Sequence, residues 1–415
     1  MYSRPAFNKV VVAIIALATL TNCSGPKRIK FPEPVDTETR PITYQKKQLL
    51  AIPELGLYLD NTFAGARLNG FQKTNDSTIT LYIQPENQPI NNSPYYAFKT
   101  WADHQKPVYF TFHYPKGYKH RYIPKLKQNG APWTIVDSSQ YSFRDSIFTL
   151  KVKVSPDTTL IAAQEIYNSK LTKDWYTGLA NTNPTAVRLK SAGSTPGNRD
   201  IPYLDLYQGS AKGKDVVILI TRQHPPEVTG FMAFQSFLET ILDHSALSKS
   251  FLNKYRVMAF PIMNPDGVDL GHWRHNAGGV DLNRDWSKYR QPEIRQVVST
   301  IEEVLKKDQG KVLLGLDFHS TWYDVFYTND QREGTTIPNF LPQWFAGLEN
   351  NIPNYTVNEK SSTSTKPVSK GWFLNRFKAI GITYEIGDDT PRDFIALKGR
   401  VSAQEMMRIL VNMNN

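Results

Sequence analysis

A change of period near residue 156 constrains this chain more than any other feature. Downstream of it, short apolar runs alternate with stretches whose apolar residues recur on one helical face. Residues 216–220 read as a buried strand, and Phe231, Phe234, Leu238, Ile241 and Leu242 then share one side of a helix. A further strand ends near Phe260. Residues 293–306 read as helical, 312–318 and 382–386 as buried strands, and 397–412 as a closing amphipathic helix. This alternation predicts an α/β fold over 156–415, with a mixed, mostly parallel sheet flanked by helices. Sheets of that kind bind ligands beyond the carboxyl ends of their strands.

Upstream, over 46–155, the signals are β. Residues 78–83, 108–112 and 148–152 are rich in β-branched and aromatic residues, and turn clusters such as Pro115-Lys116-Gly117 separate them. A small antiparallel sandwich domain is expected there. Residues 24–45 are polar and carry Pro26, Pro32, Pro34 and Pro41, a composition too poor in apolar surface to order itself. With Cys23 they are expected to form a disordered tether. Cys23 is the single cysteine of the 415 residues. It follows a basic start (Arg4, Lys9) and an apolar run, 10–20, too short to span a bilayer. The run and Leu20-Thr21-Asn22-Cys23 resemble a bacterial lipobox. That resemblance implies a signal peptide over 1–22, lipidation at Cys23, and a membrane-anchored lipoprotein of the cell envelope; a plain secretory signal is the alternative. The formal net charge of +11 favours acidic partners. No basic helix, finger or aromatic binding sheet points to nucleic acid.

The residues with chemistry lie at the predicted strand ends. His224-Pro225-Pro226-Glu227 follows the strand 216–220 and precedes a helix, so a His and a Glu three apart in a proline-fixed turn can face one ion. His319 ends the strand 312–318. Two imidazoles and one carboxylate suit a single Zn²⁺ and leave a coordination position for water, the catalytic pattern. Asp317 is a candidate to support His319. His104, His113 and His244 have no such setting and read as surface or core residues.

The second constellation is Phe260-Pro261-Ile262-Met263-Asn264-Pro265-Asp266-Gly267-Val268, followed by Arg274 and then by Gly279-Val280-Asp281-Leu282-Asn283-Arg284. Together with His224-x-x-Glu227 it resembles the zinc carboxypeptidase family, and its spacing is similar to the cytosolic-type branch. The resemblance covers about 160–415 and extends more loosely to the β domain. It implies a zinc carboxypeptidase-like fold and a peptide substrate with a free C-terminal carboxylate. It assigns His224, Glu227 and His319 to the metal, Asn283 and Arg284 to the substrate carboxylate, Arg274 to the oxyanion, and Glu385 to the general base that works on a zinc-activated water. The residue types suit these roles: an Arg fork matches a carboxylate, and a Glu in an apolar strand without a partner is costly unless it works. Pro226 replaces an arginine of the digestive enzymes, and Thr363 stands where they carry a mobile Tyr. Lys370, two before Trp372, falls at the position that sets the specificity pocket, which implies a preference for acidic C-terminal residues. An N-acyl amino acid deacylase of the aspartoacylase type, a cell-wall peptidase and a non-catalytic binding lipoprotein are the competing readings.

Overall fold

A computed structural model describes residues 26–128 and 130–413. Cys23 and the expected signal peptide lie outside the described residues. Among these, no helix is long and apolar enough to cross a membrane.

Eight strands form the larger sheet, in the order Val187–Ser194, Asp200–Leu206, Tyr255–Phe260, Asp215–Thr221, Val312–Thr321, Ile380–Gly387, Val325–Thr328 and Glu359–Ser361. The four central strands run parallel, and antiparallel pairs join them to the margins. The central strands are buried nearly throughout, because helices cover both faces. On one face Val228–Ile241 and Arg392–Asn412 pack Phe231, Phe234, Phe237, Met406 and Leu410 against Phe318 and Tyr384. On the other, Pro292–Asp308 and Ser369–Phe377 bury Ile294, Val298, Trp372 and Phe373 beside Trp286. This is the α/β architecture expected from the alternation.

The β region forms two sheets. One holds six strands, from Leu49–Ile52 to Thr134–Ile135, and the other five, from Gly70–Lys73 to Tyr141–Arg144. Alternating residues meet between them: Leu57, Leu59 and Phe98 from one sheet, Ile79, Leu81, Phe110, Phe148 and Leu150 from the other. Two expectations need correction. The sandwich runs past residue 155, because Thr159–Ala162 pairs on both sides within its six-stranded sheet. It is not wholly antiparallel either, since Thr78–Tyr82 and Lys106–His113 pair in parallel.

The expected tether is also corrected over its described part. Residues 26–45 have no regular secondary structure but run against the larger domain and reach the sandwich at Thr43 and Gln45. Phe31 is buried beside Trp286 and Trp372. Backbone N–H groups of Ile29, Arg40 and Thr43 donate to the carbonyls of Ser287, Gly278 and Glu86. Thr37 Oγ1 donates to Asp285 Oδ1 at 2.5 Å and the Thr37 carbonyl accepts from Gln291 Nε2 at 2.7 Å. Composition says that this segment cannot fold by itself; it is silent on what a neighbouring surface offers.

Candidate active site

The turn 222–227 leaves the strand Asp215–Thr221 and puts Glu227 immediately before the helix Val228–Ile241. Gly230, in that helix's first turn, lets it approach the next strand. A Cβ there would lie 2.3 Å from the His319 carbonyl oxygen. The close approach brings three donor groups together. Glu227 Oε1 lies 2.8 Å from His224 Nδ1, and Glu227 Oε2 lies 2.6 Å from His319 Nδ1. The three buried donors all fall within 4.8 Å of one another.

Carboxylates hold the far side of each imidazole. His224 Nε2 is 2.8 Å from Asp281 Oδ1, and His319 Nε2 is 2.8 Å from Asp317 Oδ2. With Nε2–H donated to an aspartate, each Nδ1 turns a lone pair toward the Glu227 carboxylate. That arrangement is repulsive unless a proton or a metal cation sits between them. Burial opposes positive charge at His319, yet Asp317 and Glu227 hold its pKa well above the usual imidazole value. The donor set, two imidazoles and a carboxylate backed by two aspartates, fits Zn²⁺.

Register decides where Glu385 sits. It is the Cα partner of His319 on the adjacent parallel strand, so both side chains leave the same face. Its Oε2 is enclosed and has no hydrogen-bond partner among the described residues. Burial pushes the carboxyl up to about 8, with His319 opposing the shift. Arg274 donates through Nε to Asp281 Oδ2 at 2.8 Å. Burial works against the Asp281 carboxylate, but Arg274 and His224 hold it well below the usual range. Asn283 gives Oδ1 to the Ser369 N–H at 2.9 Å and approaches His319 Nε2 through Nδ2 at 3.3 Å. Arg284 commits Nη1 to the Asn283 carbonyl, with Asp281 Oδ2 3.8 Å away, and lines the cleft.

Two clefts meet at Asn283. The first, of about 470 Å³, holds His224, Glu227, His319, Arg274, Arg284 and Glu385. The second, of about 390 Å³, is lined by Lys370 together with Tyr327, Thr363 and Thr383. Lys370 is buried, and its Nζ donates to the carbonyls of Thr328 (2.7 Å) and Ser362 (3.2 Å). No carboxylate pairs with it among the described residues, and burial lowers it to about 8. Thr363, in the position of the mobile Tyr, bonds Asp330 at the surface, while Tyr327 reaches the same cleft. His104, His113 and His244 are exposed, away from both clefts.

Several of the groups that build this site escaped the sequence reading. Asp281 was visible only as a motif letter. Asp317, by contrast, was expected to support His319 and does so, residues two apart in a strand sharing a face. The β domain's part had none. Glu86, fully buried, accepts the backbone N–H groups of Trp273 (2.8 Å), Arg274 (3.0 Å) and His275 (2.7 Å), and so fixes the turn that presents Arg274. Asn91, Asn92, Ser93 and Arg121 line the metal-side cleft.

Comparison with known proteins gives the same picture. Residues 172–403, more than half of the chain, match the family described as zinc carboxypeptidase. An uncharacterized protein of Zymomonas mobilis is 26% identical over 309 residues, 67% of this chain and 74% of its own. Cytosolic carboxypeptidase 6 of Caenorhabditis elegans is 23% identical over 298 residues, 65% of this chain and 63% of its own. Human cytosolic carboxypeptidase 2 is 34% identical over 112 residues, 26% of this chain and 12% of its own. The chain thus spans less than two thirds of either cytosolic relative. In fold it is similar to a metallo-carboxypeptidase from Burkholderia cenocepacia (TM-score 0.71, 17% identity, 85% of this chain and 99% of that one). It is similar also to one from Pseudomonas aeruginosa in complex with (2-guanidinoethylmercapto)succinic acid (TM-score 0.67, 15% identity, 85% and 98%). With the metal-ligand set, the strand-end placement and the matched stretch in agreement, the chain belongs to the zinc carboxypeptidase family.

Proposed function

We propose that this enzyme removes single residues from the C-terminus of peptides and favours acidic ones. The meeting of the two clefts at Asn283 is the observation that carries the reading. A terminal carboxylate held by Asn283 and Arg284 would put its own side chain toward Lys370 and its acyl bond over His224, Glu227 and His319. Lys370 has only neutral oxygens around its Nζ, so a ligand carboxylate would supply the missing counter-charge.

His224, Glu227 and His319 would hold Zn²⁺, which when bound polarises a carbonyl and makes water more acidic. Asp281 and Asp317 keep the two Nδ1 atoms aimed inward. Glu385 takes a proton from the attacking water and passes it to the leaving amine. Its raised basicity suits it to accept the proton, and positive charge at the triad would bring it back into the ionised form near neutral pH. Arg274, fixed by Asp281 and by the turn bonded to Glu86, offers its remaining N–H groups to negative charge developing on the carbonyl oxygen.

The test is release of the terminal residue from peptides ending in Glu, Leu and Lys and from their C-terminal amides, with and without a chelator. A preference for Glu that moves toward Lys in Lys370→Glu supports the pocket assignment. Equal cleavage of acid and amide would remove the exopeptidase reading. We further propose that Cys23 anchors the chain to an envelope membrane. Membrane fractionation that persists, unprocessed, in Cys23→Ser would replace that with an uncleaved anchor.

A further inference from the structure

We infer that the β-sandwich domain forms the acyl side of the active-site cleft, with Asn91, Asn92 and Arg121 binding the backbone of the substrate residues that precede the scissile bond. The inference rests on the exopeptidase reading and extends it: the preferred substrate is an extended peptide, and short N-acyl amino acids are poor ones.

The path of the substrate leads there. On that reading the terminal side chain occupies the second cleft, beside Lys370. With that side chain in place and the carboxylate at Asn283 and Arg284, the rest of the peptide must leave across the metal triad. The wall it then meets is not made by the larger domain alone. It consists of Asn91, Asn92, Ser93 and Arg121 from the sandwich, with the strand end Ser320 to Trp322 beside them.

The chemistry of that wall suits a peptide backbone. Arg121 is rigidly held. Its Nε and Nη2 donate to Asp388 at 2.8 and 3.2 Å, Nη2 also donates to the Ser320 carbonyl at 3.3 Å, and Nη1 donates to Ser93 Oγ at 3.0 Å. These bonds use four of the five guanidinium hydrogens and leave one on Nη1. Because Asp388 already balances the charge, the free N–H suits a neutral carbonyl better than a second carboxylate. Asn92 spends Oδ1 on the Lys119 N–H and keeps Nδ2 free. Asn91 is exposed, and its amide makes no hydrogen bond among the described residues, so it has both a donor and an acceptor to offer. Trp322, 58% exposed with its ring 5.2 Å from the Arg121 guanidinium, adds an apolar platform. Preorganised donors on a fixed arginine lose little entropy when a peptide arrives.

The experiment uses the zinc-loaded full chain and a length series: N-acetyl-Glu, then acetylated peptides of one, two and three alanines followed by Glu. In the wild type, kcat/KM should rise roughly tenfold or more from the one-alanine to the three-alanine substrate, the worth of one or two net hydrogen bonds. Asn91→Ala and Arg121→Lys should each remove most of that gain. Asn91 is exposed and bears no structural contact through its side chain, so its variant separates binding from folding. A wild-type rate independent of length overturns the inference, as does a gain preserved in both variants. An equal loss on every substrate in Arg121→Lys, with Asn91→Ala unchanged, also overturns it and leaves Arg121 as a brace for the strand ends. Cleavage of N-acetyl-Glu with no peptide cleaved at all would instead defeat the exopeptidase reading on which the inference stands.

Discussion

The two walls of the metal-side cleft differ in how they are made. The wall from the larger sheet carries His224, Glu227, His319 and Glu385, each at the end of a parallel strand or in the turn after it. The wall from the sandwich carries amides, a hydroxyl and one braced guanidinium on loops. Metal ligation and proton transfer accept few residue types and tight directions, so the first wall is written in residues that cannot be exchanged. Donors for a peptide backbone can come from many residue types, and the second wall needs only a position in space. The domain that carries none of the proposed catalytic residues still fixes the turn that presents one of them, Arg274, through the three backbone N–H groups that Glu86 accepts.

The comparison breaks most sharply at the first wall. Glu385→Gln should retain zinc and fold but lose about 10²–10⁴ in kcat, the usual worth of a general base. His319→Ala should lose zinc as well, read by metal analysis of the purified protein. Wild-type turnover in Glu385→Gln would move the base elsewhere. At the second wall the effect is smaller and indirect. Glu86→Gln puts an amide donor against backbone donors and leaves one acceptor for three N–H groups. Displacing Arg274 in this way should lower kcat roughly tenfold with KM and zinc content unchanged, since small misplacements of a catalytic group are costly. A fall in Tm with unchanged kcat would give Glu86 a purely structural role.

Legibility followed the same division. The order of strands and helices in the larger domain was readable from periodicity, because buried parallel strands and one-sided helices leave distinct patterns. The triad was readable from His224-x-x-Glu227 and the strand ending at His319. Asn283, Arg284, Arg274 and Glu385 entered through family resemblance, and the structure places all four in one cleft with the triad. The strand Thr159–Ala162 was missed because four residues after a turn carry too little alternation to be assigned to a sheet formed with Ala97–Ala102 and Lys125–Gln128. Residues 26–45 were misread for a related reason. Their order comes from Phe31 and from backbone bonds to residues between about 40 and more than 200 positions away, which no local window contains. Glu86 and Arg121 are long-range contacts of the same kind.

A milder effect tests the second cleft. Burial lowers Lys370 to about 8, with Asp330 opposing the shift and Glu33 lining the same cleft. The side chain is therefore charged below that pH and neutral above it. The ratio of kcat/KM for Glu-ended over Leu-ended peptides should hold at pH 7 and fall by up to about tenfold by pH 9, because kcat/KM reports the free enzyme. A ratio flat across that range would mean that Lys370 does not meet the substrate's side chain.

The smallest effect separates the two domains by their response to acid and base. In the sandwich, burial lowers His120 to about 3, with the ring stacked 3.6 Å from Phe148. The folded state keeps it neutral while the unfolded chain protonates near 6.5, so its contribution is complete above pH 6.5 and is lost as pH falls toward 3. In the larger domain, burial raises Glu293 to about 7, beneath the turn held by Asn276 and Gln291. The folded state keeps that carboxyl protonated, so its contribution is complete below pH 4.5 and is lost as pH rises through 7. Each group imposes a slope of at most about 1.4 kcal/mol per pH unit, with opposite signs. In a single transition Tm should be nearly flat from pH 4.5 to 6.5, because the rising His120 limb and the falling Glu293 limb oppose each other there. His120→Phe should leave only the falling limb and Glu293→Gln only the rising one, each a change of a few degrees. If the Glu86 contacts and the segment 26–45 couple the domains, one transition carries both limbs. Two transitions, with acid moving one and base the other, would show that the shared cleft is held by domains that unfold independently.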